Sequence, residues 1–125
     1  MKKIVKTEHA PRAIGPYSQG IKTNNLIFTA GQLGIDPSTG EIVQGGIGAE
    51  TERVLLNITA ILEAAGSSLD KVVKTTVFLS DLTDFPEMNM VYQRFFADSF
   101  PARSTVQGKL LKGAKVEIEA IAMVD

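Results

Sequence analysis

Arg103, Thr105 and Glu119 are the residues of this 125-residue chain whose types, brought together, could bind a small acid. A guanidinium binds a planar carboxylate through two parallel N–H···O bonds, a fork that lysine cannot copy. A carboxylate orients a water and carries its proton. Side chains alternate along a strand, so Arg103 and Thr105 share a face. A hairpin turning near Lys112 would set Glu119 opposite or diagonal to Thr105, completing a cluster of arginine, hydroxyl and carboxylate. A structural Arg–Glu pair fits the same pattern, and a register slip of one residue dissolves it. Tyr17 follows Gly15-Pro16 and is either a turn tyrosine or a pocket residue. Gly31, before Gln32, allows either close approach of a ligand or a bulge. Asn89 lies near the start of a helix, off its main apolar stripe, where solvent exposure is the simplest reading.

The composition narrows the chemistry. There is no cysteine, which excludes disulfides, thiolate nucleophiles and cysteine-ligated metals. The single histidine, His9, excludes a multi-histidine metal site within one chain. A formal charge of −1 gives no long-range field to gather nucleic acid or an anionic membrane. Gly45, Gly46 and Gly48 precede a helix but lack the spacing of a phosphate-binding loop. No apolar run is long enough for a signal peptide or a membrane span, so a cytoplasmic protein is expected. The length fits one domain over 1–125.

The elements that must position these residues follow from periodicity and punctuation. Ile4-Val5 reads as a short strand. Residues 18–22 and 26–30 read as a hairpin about Asn24-Asn25, since asparagine tolerates φ > 0. Asp36 to Gly40 is a turn. Val54, Leu55, Ile58, Ile61, Leu62 and Ala65 form a helical stripe, with Gly66 placed as a left-handed C-cap. Residues 72–79 are β-branched and apolar, hence a strand. Asp84, Pro86 and Glu87 predict the start of a second helix, which buries Met88, Val91, Tyr92, Phe95 and Phe96 and ends at Pro101. Strands over 104–107 and 116–124, turning near Lys112-Gly113, complete an α+β domain of order β-β-β-α-β-α-β-β.

Right-handed crossovers put both helices on one face of the sheet. The last strand nonetheless carries Ile121 and Met123 beside Glu117 and Glu119 on its second side, and residues 72–79 are apolar on both sides. The uncovered face is therefore expected to be buried by other copies of the chain. The candidate cluster of Arg103, Thr105 and Glu119 is expected on that same face.

AIGPYSQ (13–19), FTAGQ (28–32), DPSTGEIV (36–43), VFLSDLTDF (77–85), YQRFF (92–96), PARSTV (101–106) and VEIEAIA (116–122) together resemble the reactive intermediate deaminase family, RidA or YjgF, in register over essentially the whole chain. The resemblance implies a chorismate-mutase-like fold and a homotrimer whose sheets form a central barrel, with a site in each cleft between subunits. It implies hydrolysis of 2-imino acids such as 2-iminobutanoate and 2-iminopropanoate to 2-oxo acids and ammonia, with no cofactor or metal. By position, Arg103 matches the carboxylate-binding arginine and Glu119 the glutamate that places or activates water. Tyr17, Gly31 and Asn89 match cleft residues. Thr105 stands where many members have cysteine, and Gln107-Gly108-Lys109 replaces a more apolar stretch. The alternative implied by other members is a non-catalytic 2-oxo-acid-binding regulator, or a ribonuclease or translation inhibitor.

Overall fold

The computed structural model describes residues 1–125. Seven strands, β1 (Lys3–Val5), β2 (Gly20–Lys22), β3 (Leu26–Thr29), β4 (Gln32–Leu33), β5 (Val72–Leu79), β6 (Ala102–Gln107) and β7 (Val116–Met123), form one mixed sheet with two helices, α1 (Gly46–Ala64) and α2 (Phe85–Phe96). The sheet order is β1-β2-β3-β7-β5-β6, with β4 also on β7. Only β5 and β6 run parallel, and α2 connects them. This is the expected α+β class, with both helices on one face.

The hairpin expected between the last two strands is not formed. A turn does occur at Lys112 and Gly113, with φ of 60° and 69°. The chain beyond it, however, pairs with β5 and leaves β6 at the edge. β7 is a long apolar strand that can be covered on both edges; the shorter and more polar β6 is better suited to the rim. β4 was not anticipated, because two residues carry no periodicity. Between Phe28↔Ile121 and Gln32↔Ile118 the β3–β4 path holds one residue more than β7, a bulge at Ala30-Gly31. Thr29 Oγ1 accepts from the Ala120 backbone N–H at 3.0 Å within this bulge.

The apolar stripe of α1 is the centre of the core. Val54, Leu55, Ile58, Ile61 and Leu62 are fully buried against Val77, Leu79, Val116, Ile118 and Ala122. Each such side chain contributes about 1.5–3 kcal/mol through removal from water. α1 ends as expected: Gly66 takes φ 87°, its N–H donates to the Glu63 carbonyl, and Ser67 N–H donates to the Leu62 carbonyl. α2 buries Met88, Val91, Tyr92 and Phe96, with Phe95 partly buried. Its start differs from expectation. Asp84 caps nothing; Asp81 accepts from Thr83 N–H, because a 3-10 turn over Leu82–Asp84 runs into the helix and moves the free amides back one turn. Its end also comes early, at Phe96, where Ala97 turns the chain at φ 54° before Pro101 is reached. The Asn24-Asn25 turn forms without positive φ at either residue.

The second face of the sheet is uncovered in the single chain, as anticipated. Register places Ile4, Ile21, Phe28 and Ile121 side by side there, in an apolar belt across β1, β2, β3 and β7, and sets Phe78 beside Val106 farther along on β5 and β6. Phe28 is 40% exposed and Met123, farther along β7, 49%.

Candidate active site

Arg103 sits near the start of β6, opposite Thr75 of β5, and Thr105 sits opposite Val77. Thr75 and Val77 are buried on the helix side, so Arg103 and Thr105 face α2 and not the open face. The Arg103 guanidinium lies 4.8 Å from the centroid of the Tyr92 ring and 5.4 Å from that of Phe85. Phe85, Asn89 and Tyr92 are spaced i, i+4, i+7 on α2, which makes one stripe of the helix facing the arginine. Asn89 is half-buried, and its Oδ1 is enclosed without a hydrogen-bond partner. Solvent exposure therefore fails as its description, because the stripe it shares with Phe85 and Tyr92 is turned toward β6. Tyr92 and Thr75 share a buried hydrogen bond of 2.7 Å between hydroxyls. Burial raises the Tyr92 pKa, against the lowering influence of the Thr75 bond and of Arg103.

Glu119 pairs with Thr76 and faces the other way, exposed on the open face. The expected cluster of Arg103, Thr105 and Glu119 on one face is therefore not formed within the chain. β5 intervenes between β6 and β7, and the alternation of each strand sends the arginine and the glutamate to opposite sides. The structural Arg–Glu pair falls with it: the ion pair in the chain is Lys71–Asp125, at 2.8 Å on the surface, and Arg103 has no carboxylate partner.

Gly31 joins the open-face group. A β-carbon there would lie 2.1 Å from Glu117 Oε2, so the bulge glycine admits the Glu117 carboxylate alongside it. Glu117 and Glu119 are two apart on β7 and share the face. Burial, and secondarily the charge of Glu119, raises the Glu117 pKa. Tyr17 lies in the loop before β2. Its ring rests over Gly15, and its hydroxyl accepts from Ile14 N–H at 3.3 Å. No hydrogen bond links it to Arg103 or Glu119. Two surface concavities lie elsewhere, one lined by His9, Arg53 and Glu63 and the other by Ser80, Lys109 and Lys115.

The single chain thus places the candidate residues in two separate groups: Arg103 with Thr105 and Asn89 at the β6 edge, and Glu119 with Gly31 and Glu117 on the open face. A model of the family described as endoribonuclease L-PSP matches residues 7–124. The chain belongs to this family, the RidA/YjgF family. A RutC family protein of Pyrococcus horikoshii is 56% identical over 98% of this chain and 98% of its own length. The 2-iminobutanoate/2-iminopropanoate deaminase of Bos taurus is 49% identical over 98% of this chain and 90% of its own. The crystal structure of Escherichia coli TdcF with bound serine superposes with a TM-score of 0.94, at 44% identity, over 98% of this chain and 99% of that one.

Within this RidA-family chain, sequence reasoning missed Phe85, Tyr92 and Thr75 as neighbours of Arg103, and the close approach of Glu117 to Gly31. Tyr92 carried a signal: a tyrosine inside an apolar helical stripe needs a partner for its hydroxyl. Glu117 carried one too, since it shares the open-face alternation with Glu119. Nothing in the sequence marks Thr75, whose role depends on the parallel pairing of β5 with β6.

Proposed function

We propose that this chain is a 2-iminobutanoate/2-iminopropanoate deaminase, acting in the cytoplasm to clear reactive imines, with its sites assembled between three copies of the chain. The observation that carries the reading is Arg103: a half-buried guanidinium with no acid partner, backed by two aromatic rings. Such a group is ready for a ligand carboxylate. The 49% identity to a protein named for this reaction supports the choice of substrate, and serine, bound by TdcF, is also a small carboxylate. The trimer is supported by the apolar open face, by β6 at a free sheet edge, and by the division of the candidate residues between two faces. A ligand that meets both groups would do so between the β6 edge of one copy and the open face of the next.

The reaction balances with water alone: R–C(=NH)–COO⁻ and H₂O give R–CO–COO⁻ and NH₃. Arg103 holds the carboxylate and so fixes C2. Glu119 orients the water and takes its proton as oxygen attacks C2, forming a tetrahedral carbinolamine. That proton passes to nitrogen and gives the neutral carbinolamine; the remaining hydroxyl proton then follows to nitrogen, and the C–N bond breaks as the C2–O bond becomes the carbonyl, so that ammonia leaves. General base assistance of this kind is worth about 10²–10⁴-fold. Asn89 Oδ1, otherwise unpartnered, offers an acceptor to a substrate N–H. Thr105 and Gly31 line the cleft, and Tyr17 closes it.

Arg103→Ala is expected to lose the charge-assisted fork, about 1.5–3 kcal/mol and hence at least about 10- to 100-fold in kcat/KM, with the oligomer intact. Arg103→Lys should be nearly as poor. The measurement is 2-oxobutanoate and ammonia release in a coupled threonine-dehydratase assay. Full turnover by Arg103→Ala would sink the assignment. The endoribonuclease description of the family model motivates an RNA-cleavage control; RNA cleavage without imine turnover would favour that activity instead.

A further inference from the structure

We propose that Tyr92 is a positioning residue for Arg103: with Thr75 locking its hydroxyl, its ring fixes the plane of the guanidinium before any ligand arrives. The inference deepens the deaminase proposal and rests on Arg103 as the carboxylate anchor. An arginine on an edge strand, with no acid partner, is otherwise free to sample many rotamers, and that freedom is lost on binding. A glutamate could hold the guanidinium still, but only by occupying the N–H fork that the substrate needs. An aromatic face holds the cation from the flat side and leaves every N–H at its edge available.

The geometry fits this role at each step. The guanidinium carbon lies 4.8 Å from the Tyr92 centroid, within cation–π range, and Phe85 supplies a second ring at 5.4 Å. Tyr92 is itself immobile. Only 4% of it is exposed, its ring packs against Phe96 at 4.6 Å, and its hydroxyl bonds Thr75 at 2.7 Å. Thr75, 1% exposed, lies directly opposite Arg103 in the parallel register. One β5 residue therefore anchors both the strand that carries the arginine and the ring that backs it. A phenylalanine would fill the same space, but no bond to the sheet would fix its position.

The test uses the full chain in its assembled state. Tyr92→Leu removes the ring. KM for the imine and the Kd of 2-oxobutanoate should both rise about tenfold, with kcat within about twofold, because pre-organised carboxylate binding acts alike on ground and transition states. Tyr92→Phe leaves the buried Thr75 hydroxyl unpaired and should lower Tm; Tyr92→Phe with Thr75→Val removes both polar groups and should recover it. If Tyr92 positions Arg103, KM stays raised in the double variant while Tm returns. A KM that recovers with Tm overturns the proposal, as does a wild-type KM in Tyr92→Leu. A ligand-free readout separates this failure from failure of the deaminase reading. The ¹⁵Nε–Hε resonance of Arg103 should be dispersed in the wild type and collapse toward the free-arginine shift in Tyr92→Leu; an unchanged resonance refutes positioning whatever the enzyme hydrolyses.

Discussion

Alanine at position 31 sets a backbone gain against a side-chain collision. Gly31 does not adopt positive φ, so alanine suits its backbone and should stabilise the chain by about 0.4–1 kcal/mol through the unfolded state. The new β-carbon, however, would stand 2.1 Å from Oε2, 2.9 Å from Cδ and 3.1 Å from Cγ of Glu117. Glu117 is half-buried and would have to move as a whole, an overpacking cost of about 1–3 kcal/mol. The net expectation for Gly31→Ala is a loss of up to about 2.6 kcal/mol, about 1.3 kcal/mol at mid-range. The nearest atoms all belong to one side chain, so Glu117→Ala removes the collision and leaves the backbone gain. In that background Gly31→Ala should stabilise, and the sign of its effect reverses. Urea unfolding of the four proteins at one fixed concentration measures this, since oligomer stability depends on concentration. An equal loss in both backgrounds would refute the account of Gly31 as the slot for Glu117. So would a stabilising Gly31→Ala in the wild-type background.

Two further outcomes follow from the open face. Glu117 has a folded-state pKa raised above its ordinary 4.5, by burial first and the Glu119 charge second. Its contribution to stability is therefore complete below about pH 4.5 and is lost as pH rises through the folded value. Glu117→Gln should flatten that decline in the urea midpoint; an unchanged slope would show that other groups set it. Phe28 and Ile121 pair on the uncovered face, so Phe28→Glu places a charge in the apolar belt. It should give the mass of a single chain in sedimentation with the far-ultraviolet spectrum retained, and a wild type already monomeric at micromolar concentration would contradict an oligomer built on that face.

Local signals were reliable where the physics is local. The α1 stripe, the left-handed Gly66 and the buried face of α2 stand where periodicity and glycine placed them. The α2 boundaries shifted because a short 3-10 turn lets Asp81 do the capping that Asp84 was expected to do, and because Ala97 turned the chain before Pro101. The larger error was in pairing. Period-2 alternation correctly set Arg103 beside Thr105, and Glu119 beside Glu117, each on a shared face. Which strand lay next to which was not encoded by alternation. Joining β6 to β7 through the nearest turn put Arg103 and Glu119 together, whereas β5 lies between them and their side chains diverge.

The amino-acid order by itself determined the residue types that suit carboxylate binding, the absence of cysteine and paired histidine chemistry, the α+β class and the apolar excess on one face of the sheet. These follow from side-chain chemistry and from the fixed periods of helix and strand. Only the tertiary structure decided that Arg103 rests on Tyr92 and Phe85 without an acid partner, that Gly31 makes room for Glu117, and that Arg103 and Glu119 lie on opposite faces. Those facts depend on non-local strand order and on one bulge, where a single residue of register changes which side chains meet.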